Sequence, residues 1–556
     1  MLSRHSPPNC RPTVQSDTQH WVLLALIILG GALLRLLLLT NQSLWFDEGQ
    51  SLVVTDSGTL AGTIHELSVR AGGDKYQPLY FLVLSMWRSL MGDSEFSLRL
   101  LSVVPGVFAL IFVHGAVANI FGRRHALLAT MYLAFSAFWI CYSQEVRPYS
   151  LLFCLSTIQL FLLSSVFSHT EKPHTTRILL FALATGVSAF ASILLAAFTV
   201  SLALAHMSIT RSPTDWLKWW VPAVIACVPA GIYFLGTPAV GQLAMDSTNG
   251  LGLPLYKNSL FALYGILVGH TFGPPLDALR ESGQLTNTLI DYAWQLTALA
   301  IAMLLLGGGF LRSQFIVFKN SSSLQGDKNQ RFVSGNRFFL ALLVFSSLMA
   351  ALVAKVSGIN WMPRHSFYLA IPVAILLPIA FTISVNQHKI AMHGIRKSAQ
   401  LAFIALLALN IYASYNYFYK SEYARDDYRA AAGYLINNMT ETDRAIMLWG
   451  EPRLLSYYGE TSTQNRWQEN PPPVSTVMDG VYSEGGKVFV AINREFTWSR
   501  GMPTSDNLET QVASKYNLIS VKRYVNFNIY EFETNEASDD TILPLTSAED
   551  LTLQAM

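Results

Sequence analysis

The feature that most constrains the fold of this chain is a series of ten long apolar runs. A hydrocarbon layer about 30 Å thick is crossed by a helix of about 20 apolar residues. The composition agrees, since 51% of the residues are hydrophobic and 13% are charged, against roughly 25% charged residues in a soluble domain. We therefore predict an α-helical polytopic membrane protein. The runs are about 21–40, 97–118, 126–143, 149–168, 178–208, 217–236, 291–311, 338–356, 365–384 and 398–418.

The number of spans follows from the lengths of these runs. The fifth run, at 178–208, is long for one span and has basic residues at both ends, which predicts a tight pair of short helices. The first run is too long for the apolar part of a signal peptide, and no small-residue cleavage site follows it, so we interpret it as a retained anchor. The prediction is about eleven transmembrane helices.

The basic residues between the runs predict the orientation. Short cytoplasmic loops carry an excess of Lys and Arg, and all the basic clusters fall on the side of the N-terminus if eleven spans are counted. Residues 1–20 are then a cytoplasmic tail, whereas the loop at 41–96 and everything beyond 420 lie outside. The clusters are Arg4 with Arg11, Arg123-Arg124, Lys172 with Arg177, the linker 312–337, and Lys389 with Arg396-Lys397.

The segment 77–91 tests this count because it is apolar but short. Its length suits a juxtamembrane helix lying at the interface better than a span. Counting it as a span would move Arg123-Arg124 outside, which the charge bias argues against. With the segment excluded, five charged residues are predicted to share one face of the membrane: Asp47, Glu48, Glu145, Arg147 and Arg364.

The last part of the chain, 420–556, differs in character from the apolar 21–419. An amphipathic stretch at 426–436 predicts a helix, and short runs at 445–449, 487–492, 518–524 and 527–532 predict strands, the last two joined by the turn Val525-Asn526. We predict a small extracytoplasmic α/β domain that ends in a flexible acidic stretch after Glu533.

Asp47 and Glu48 form an acidic pair where the first run ends. They follow the aromatic residues Trp45-Phe46, which are typical of the membrane interface. Removing two neighbouring carboxylates from water is costly, so the pair needs a polar partner or a chemical role; the alternative is an ordinary acidic loop edge. Since adjacent residues cannot both face one site on a regular element, we assign the role of general base to Asp47 and a supporting, hydrogen-bonding role to Glu48.

Three further polar clusters fall on the same predicted face. Each has a simpler explanation: an ion pair between Glu145 and Arg147 that locks a turn, a solvated loop, or an arginine that reaches lipid headgroups. Taken together they suit an anionic lipid substrate, because arginine pairs bidentately with phosphate oxygens and stays charged. The clusters are 143–149 with Glu145, Arg147 and Tyr149, 74–78 with Lys75 and Gln77, and 360–368 with Arg364 and His365.

Neither a disulfide framework nor a metal site is predicted. The four cysteines are scattered without a Cys-x-x-Cys motif, and none lies beyond Lys420. The acidic residues and His365 lack the spacing of a ligand set, so we predict no obligatory cofactor. A divalent cation that bridges Asp47 and Glu145 with a phosphate stays open, since hard cations favour carboxylate and phosphate oxygens.

Several motifs, in order and spacing, resemble bacterial glycosyltransferase family 39 of the GT-C fold. This family is related to protein O-mannosyltransferases and to the aminoarabinose transferase that acts on lipid A. The resemblance covers 21–150 and, less closely, 360–450. The motifs are Trp45-Phe46-Asp47-Glu48, Gln77-Pro78-Leu79-Tyr80-Phe81, the segments 92–99, 121–124 and 142–150, Pro363-Arg364-His365-Ser366-Phe367-Tyr368, and the helix beginning Asp427-Tyr428-Arg429.

The resemblance implies an inner-membrane enzyme that moves a sugar from a polyprenyl-phosphate donor to an acceptor hydroxyl on the outer face. Asp47 matches the family's catalytic aspartate, and 21–419 would be its GT-C transmembrane domain. Gln77 stands where the family often has His or Lys, so Arg147, Arg364 and Lys75 are the predicted phosphate ligands, supported by Glu145, Tyr149, Gln77 and His365. One base and direct displacement predict inversion at the anomeric carbon.

The predicted partners are the lipid-linked donor, a lipid, glycan or protein acceptor, and membrane lipids, with no nucleic acid. Two other classes of protein stay open at this point. A transporter or flippase of a lipid-linked sugar should carry ionisable residues near the middle of its spans or an internal repeat. Charges here cluster at span ends apart from Arg35, Arg88 and Arg99, and no repeat is found. A purely structural membrane protein does not explain why acidic and basic clusters converge on one face.

Overall fold

The computed structural model describes most of the chain with its side chains. The described residues are 14–69, 73–167, 175–210, 212–236, 255–275, 285–319, 327–357, 363–382, 391–459, 467–468, 486–493 and 516–534. Most of the N-terminal tail and the predicted acidic end beyond 534 lie outside these ranges. The α-helices are Val14–Leu36, Phe46–Val54, Leu60–Val69, Pro78–Met91, Glu95–Phe121, Arg123–Ala134, Ala137–Ser143, Tyr149–Leu163, Thr175–Ala191, Ile193–Met207, Pro213–Ala226, Val228–Gly236, Leu255–Val268, Leu285–Asp291, Ala293–Lys319, Asp327–Ser357, Ala370–Leu376, Ile379–Thr382, Ala391–Tyr419, Tyr428–Asn438 and Pro452–Tyr458.

Within the described ranges, seven helices are long and apolar enough to cross a membrane, and the number rises to nine if two bent pairs each count as one span. The bent pairs are Arg123–Ala134 with Ala137–Ser143, at 59°, and Pro213–Ala226 with Val228–Gly236, at 43°. Two shorter apolar helices, Thr175–Ala191 and Ile193–Met207, occupy the run that was predicted to hold a helix pair. The polytopic helical class is confirmed, and the count of eleven stays a prediction.

Arg35 holds the sharper bend in place. Its guanidinium is 1% exposed and donates hydrogen bonds to the carbonyl oxygens of Leu133 (3.2 Å) and Ala134 (3.0 Å), at the end of the helix before the break. It also donates to Ser143 Oγ (3.2 Å) at the end of the second helix. Carbonyls at a helix end have no partner within the helix, so this charge inside the first span has a structural role.

Two short helices outside the candidate spans were treated differently at the sequence level. Pro78–Met91 has 14 residues and is not a candidate span, in agreement with its exclusion from the count. Leu255–Val268 also has 14 residues and lies in the connection between the apolar runs 217–236 and 291–311. A search for span-length runs overlooks such a short helix, which buries one end, where Ile266 and Val268 are inaccessible to solvent.

The small C-terminal α/β domain is confirmed. Its strands β1 (Arg444–Trp449), β2 (Trp467–Gln468), β3 (Val488–Asn493), β4 (Tyr516–Tyr524) and β5 (Phe527–Thr534) form one sheet in the order β2-β1-β3-β5-β4. β1 is parallel to β2 and β3, whereas β5 is antiparallel to β3 and to β4. The turn of the β4–β5 hairpin contains Asn526 at φ 54°, a left-handed conformation that asparagine tolerates. Strand β2, with two residues, and the helix Pro452–Tyr458 were not predicted.

This domain and the loop after the first span share one hydrophobic core. Leu52, Phe81 and Val146 from the membrane part lie in the same buried cluster as Leu454 and Phe489 from the tail. The contact is close at Gly49, where an added Cβ would lie 2.5 Å from Glu451 Cγ. The helix Phe46–Val54 is therefore held in place by packing against the C-terminal domain.

Candidate active site

The helix Phe46–Val54 begins with a cap in which Glu48 takes part and Asp47 does not. Glu48 Oε2 accepts a hydrogen bond from the backbone N–H of Trp45 (3.2 Å), and acidic side chains in the first turn also stabilise the N-terminal end of the helix dipole. Because Asp47 and Glu48 are consecutive in this turn, their side chains point in different directions.

Glu48 is fully buried and its carboxylate is fully engaged. Arg99 donates from Nε to Oε1 (3.0 Å) and from Nη2 to Oε2 (2.7 Å), a bidentate pair. The backbone N–H of Val146 donates to Oε1 as well (2.9 Å). Glu48 therefore joins the loop helix, the span Glu95–Phe121 and the turn at 143–149. Sequence reasoning counted Arg99 only as a charge within a span and missed this pairing.

Asp47 faces a different group of cations. Its Oδ2 lies 2.6 Å from Arg364 Nη1, and the two side chains remain 17% and 24% exposed. Its backbone oxygen accepts a hydrogen bond from Arg147 Nη1 (3.2 Å). The structure thus brings together the proposed base and the two arginines that the sequence nominated, from three distant segments of the chain.

The charge around Asp47 decides its protonation state. Burial disfavours the carboxylate form, but the positive charges of Arg364, Arg147, Arg425 and His365 outweigh burial and hold the pKa of Asp47 below its ordinary value. Asp47 is therefore ionised at neutral pH, the form that accepts a proton.

The turn at 143–149 is held by long-range contacts. Gln144 Nε2 donates to the carbonyls of Arg35 (3.0 Å) and Leu37 (2.8 Å), at the end of the first span. Arg147 Nη2 pairs with Asp74 Oδ1 at 2.9 Å. The suggested Glu145–Arg147 ion pair is absent, because Glu145 pairs instead with Arg425. Each of the two residues has found a partner on a different segment.

Arg425 is a site residue that sequence reasoning missed. It follows the last span, two residues before the Asp427-Tyr428-Arg429 motif that carried the resemblance. Its guanidinium contacts Glu145, lies 4.9 Å from the ring centre of Trp45, and donates from Nη2 to Cys141 Sγ (3.2 Å). The signal available in the sequence was an arginine beside a recognised motif, at a span end.

Lys75 and Gln77 lie on the segment that carries Asp74. The Lys75 side chain is buried and its ammonium lies 5.5 Å from the ring centre of Tyr76. Among the described residues no carboxylate forms an ion pair with Lys75, unlike Arg147 and Arg364. The side-chain oxygen of Gln77 is buried without a hydrogen-bond partner.

The two remaining predicted residues flank the pair of Asp47 and Arg364. Tyr149 is buried within electrostatic reach of both, with its ring edge-on to Tyr142 at 5.2 Å. The hydroxyl of Tyr142 is hydrogen-bonded to His270 Nε2 (2.9 Å), another residue that was not predicted. His365 lies within electrostatic reach of Asp47.

Several buried N–H groups around Asp47 have no acceptor. They are Nε of Arg147, Nε of Arg364 and Nη1 of Arg425. Unpaired buried donors are rare in native proteins, and three of them near one carboxylate make a site that suits a ligand with acceptor oxygens. No group of three possible metal ligands occurs in the part of the chain that the structure describes, and the absence of a metal requirement stays a prediction.

The family model of dolichyl-phosphate-mannose-protein mannosyltransferases matches residues 75–233. ArnT from Cupriavidus metallidurans, solved with undecaprenyl phosphate bound, superposes with a TM-score of 0.51 at 12% identity, over 93% of this chain and 98% of ArnT. The chain has the GT-C fold.

The GT-C resemblance seen in the sequence is thus confirmed, at an identity that speaks for the fold alone. Two more distant structures are also similar. The Archaeoglobus fulgidus oligosaccharyltransferase with a tethered acceptor peptide gives a TM-score of 0.47 at 12% identity, over 94% of this chain and 74% of that one. The mycobacterial arabinofuranosyltransferase AftD gives 0.47 at 13% identity, over 94% and 42%. No curated protein matches the chain at a significant level.

Proposed function

We propose that this protein is a membrane glycosyltransferase that moves a sugar from a polyprenyl-phosphate donor to an acceptor hydroxyl, with Asp47 as the general base. The observation that carries the proposal is the 2.6 Å contact between Asp47 and Arg364, beside which Arg147 donates to the backbone oxygen of Asp47. The GT-C fold and the undecaprenyl phosphate bound by ArnT support the choice of donor.

The donor phosphate binds to Arg364, Arg147 and Lys75. Lys75 is a buried cation that forms no ion pair with a described carboxylate, whereas Arg364 and Arg147 each present an unpaired buried Nε–H beside their ion pairs. An ammonium supplies a point charge and a guanidinium a planar fork. Together these three residues stabilise the negative charge that grows on the leaving phosphate.

The reaction is a single displacement. The Asp47 carboxylate takes the proton of the acceptor hydroxyl while the hydroxyl oxygen forms a bond to the anomeric carbon. The bond from that carbon to the phosphate oxygen breaks, and polyprenyl phosphate leaves with the electron pair. One displacement inverts the anomeric configuration. Glu48, engaged with Arg99, keeps the loop helix in place and takes no proton.

A transporter or flippase receives less support from the structure. Arg35, in the last turn of the helix Val14–Leu36, is paired with carbonyl oxygens and has no ionisable partner among the described residues that could relay a proton or follow a substrate. The two functions can be distinguished in detergent, because a detergent solution has no two sides between which a lipid could be moved. A glycosyltransferase purified in detergent consumes a polyprenyl-phosphate sugar and releases polyprenyl phosphate, whereas a flippase leaves the lipid-linked sugar intact.

A further inference from the structure

Three unpaired polar atoms lie together beside Asp47. They are the indole N–H of Trp45, the Nη1–H of Arg425 and the Oε2 of Glu145, all buried and all without a hydrogen-bond partner. The Glu145 side chain is only 3% exposed. A buried polar group left unpaired costs about 1–3 kcal/mol, so three in one place call for a ligand that pairs with them.

The three atoms belong to one contact cluster. Arg425 lies over the Trp45 ring and pairs through Nη2 with Glu145 Oε1, which leaves the other nitrogen and the other oxygen free. The cluster adjoins the proposed base, because Arg425 contributes to the electrostatic surroundings of Asp47, and Asp47 to those of Glu145.

The polarity of these atoms selects the kind of ligand. A phosphate oxygen accepts hydrogen bonds but donates none, and the carboxylate of Glu145 repels it. A hydroxyl group does both: it donates to Glu145 Oε2 and accepts from Trp45 Nε1–H or Arg425 Nη1–H. Neighbouring hydroxyls on a sugar ring satisfy two donors and one acceptor at once.

We propose that Trp45, Glu145 and Arg425 form the subsite that binds the hydroxyl groups of the donor sugar. This inference rests on the proposed function and adds an orientation to it. The phosphate lies toward Arg364, Arg147 and Lys75, the sugar lies toward Glu145 and Arg425, and Asp47 faces the bond between them.

The test measures donor binding to the full-length protein in detergent, without acceptor. The probes are undecaprenyl phosphate and undecaprenyl phosphates carrying a hexose, a pentose, an aminopentose or an N-acetylhexosamine. At least one sugar-bearing probe binds the wild-type protein more tightly than the bare phosphate. Glu145→Gln weakens that probe roughly ten- to a hundredfold, the effect of one hydrogen bond to a charged group, and leaves the Kd of undecaprenyl phosphate within about twofold.

Trp45→Phe is the second variant, because it keeps an aromatic face for Arg425 and removes only the indole N–H; it gives the same selective loss. Glu95→Gln is the matched control. Glu95 also pairs with an arginine of the C-terminal segment, Arg429, but its other oxygen is occupied by the Tyr458 hydroxyl, so no probe changes affinity.

The subsite is wrong if no sugar-bearing probe binds more tightly than the bare phosphate. It is also wrong if both variants leave the sugar-dependent gain intact, or if they weaken both kinds of probe equally, as a purely structural pair would. If Glu145→Gln strongly lowers the melting temperature, its loss of binding has a structural cause, and the result for Trp45→Phe decides whether the subsite exists. Failure of the wild-type protein to bind undecaprenyl phosphate at all contradicts the proposed function itself.

Discussion

Arg364 Nη1 lies 2.6 Å from Oδ2 of Asp47, across 317 residues of sequence. The contact joins the loop after the first span to the start of the tenth predicted span. A guanidinium has five N–H donors, and Arg364 keeps a buried Nε–H without a partner beside this bond. One arginine can therefore hold the base in its ionised form and still receive a phosphate oxygen.

We expect Arg364→Ala to lower turnover at saturating acceptor by roughly one to two decades. The reason is the loss of charge-assisted bonds to the leaving phosphate, each contributing about 1.5–3 kcal/mol. Arg364→Lys should recover only part of the activity, because an ammonium does not reproduce the fork. Arg453→Ala, which breaks a pair with Asp56 at the edge of the same loop, is the control and should stay within about twofold. Unchanged turnover and donor affinity in Arg364→Ala would reduce Arg364 to a headgroup anchor.

The pH dependence follows from the lowered pKa of Asp47. Because the pKa of Asp47 is lowered, its base form is present at every pH above about 4, the ordinary carboxyl pKa. The stability that its ion pairs add is present over the same range. Both are lost as the pH falls through the lowered pKa of Asp47. The pH profile of kcat/KM, which reports the free enzyme, should therefore show no acidic limb from about pH 5 upward. Arg364→Ala should move that limb to higher pH. A wild-type limb near neutral pH would mean that another group is the base.

The predicted orientation places the loop after the first span and the C-terminal domain outside, and the basic linker 312–337 in the cytoplasm. Single cysteines in a cysteine-free background test it at three exposed positions: Asp56→Cys, Gln330→Cys and Lys522→Cys. An impermeant thiol reagent on intact cells with a permeable outer membrane should label the first and third but not the second. The reverse pattern would overturn the orientation.

Transfer should not need a divalent metal. The carboxylates near the site are already paired with guanidinium groups, Asp47 with Arg364, Asp74 with Arg147 and Glu145 with Arg425. Activity of the purified protein should survive EDTA within about twofold. A loss in EDTA that Mg²⁺ or Mn²⁺ restores would show instead that a cation bridges carboxylate and phosphate oxygens.

The architecture of the membrane part was largely predictable from the sequence. The length of an apolar run identifies a helix that crosses a hydrocarbon layer, because a helix is the element that forms all its backbone hydrogen bonds within one segment. Helix Leu255–Val268 escaped because it is shorter than a span, and strand β2 because two residues carry no periodicity. The hairpin of β4 and β5 was predictable because its turn and alternation are local signals.

The pairing of charges was much less predictable. The sequence offered an ion pair between Glu145 and Arg147 as the simpler explanation of their turn because they are near neighbours, whereas each pairs with a residue on another segment. Which acidic residue pairs with which basic residue depends on how the spans pack against one another, and the spacing of residues along the chain does not predict that packing. Arg99 and Arg425 were overlooked for that reason, although both pair with acids that the sequence had singled out.

The central claim is that Asp47 is the base of a sugar transfer from a lipid phosphate. The most direct measurement is the release of undecaprenyl phosphate from undecaprenyl-phosphate sugars by the detergent-purified protein, with membrane extract as the source of acceptor. We expect the wild-type protein to release it and Asp47→Asn, while it stays folded, to lose about 10²–10⁴-fold in rate, whereas Asp56→Asn, on the exposed edge of the same loop, keeps full activity. Equal rates for Asp47→Asn and the wild-type protein would contradict the account.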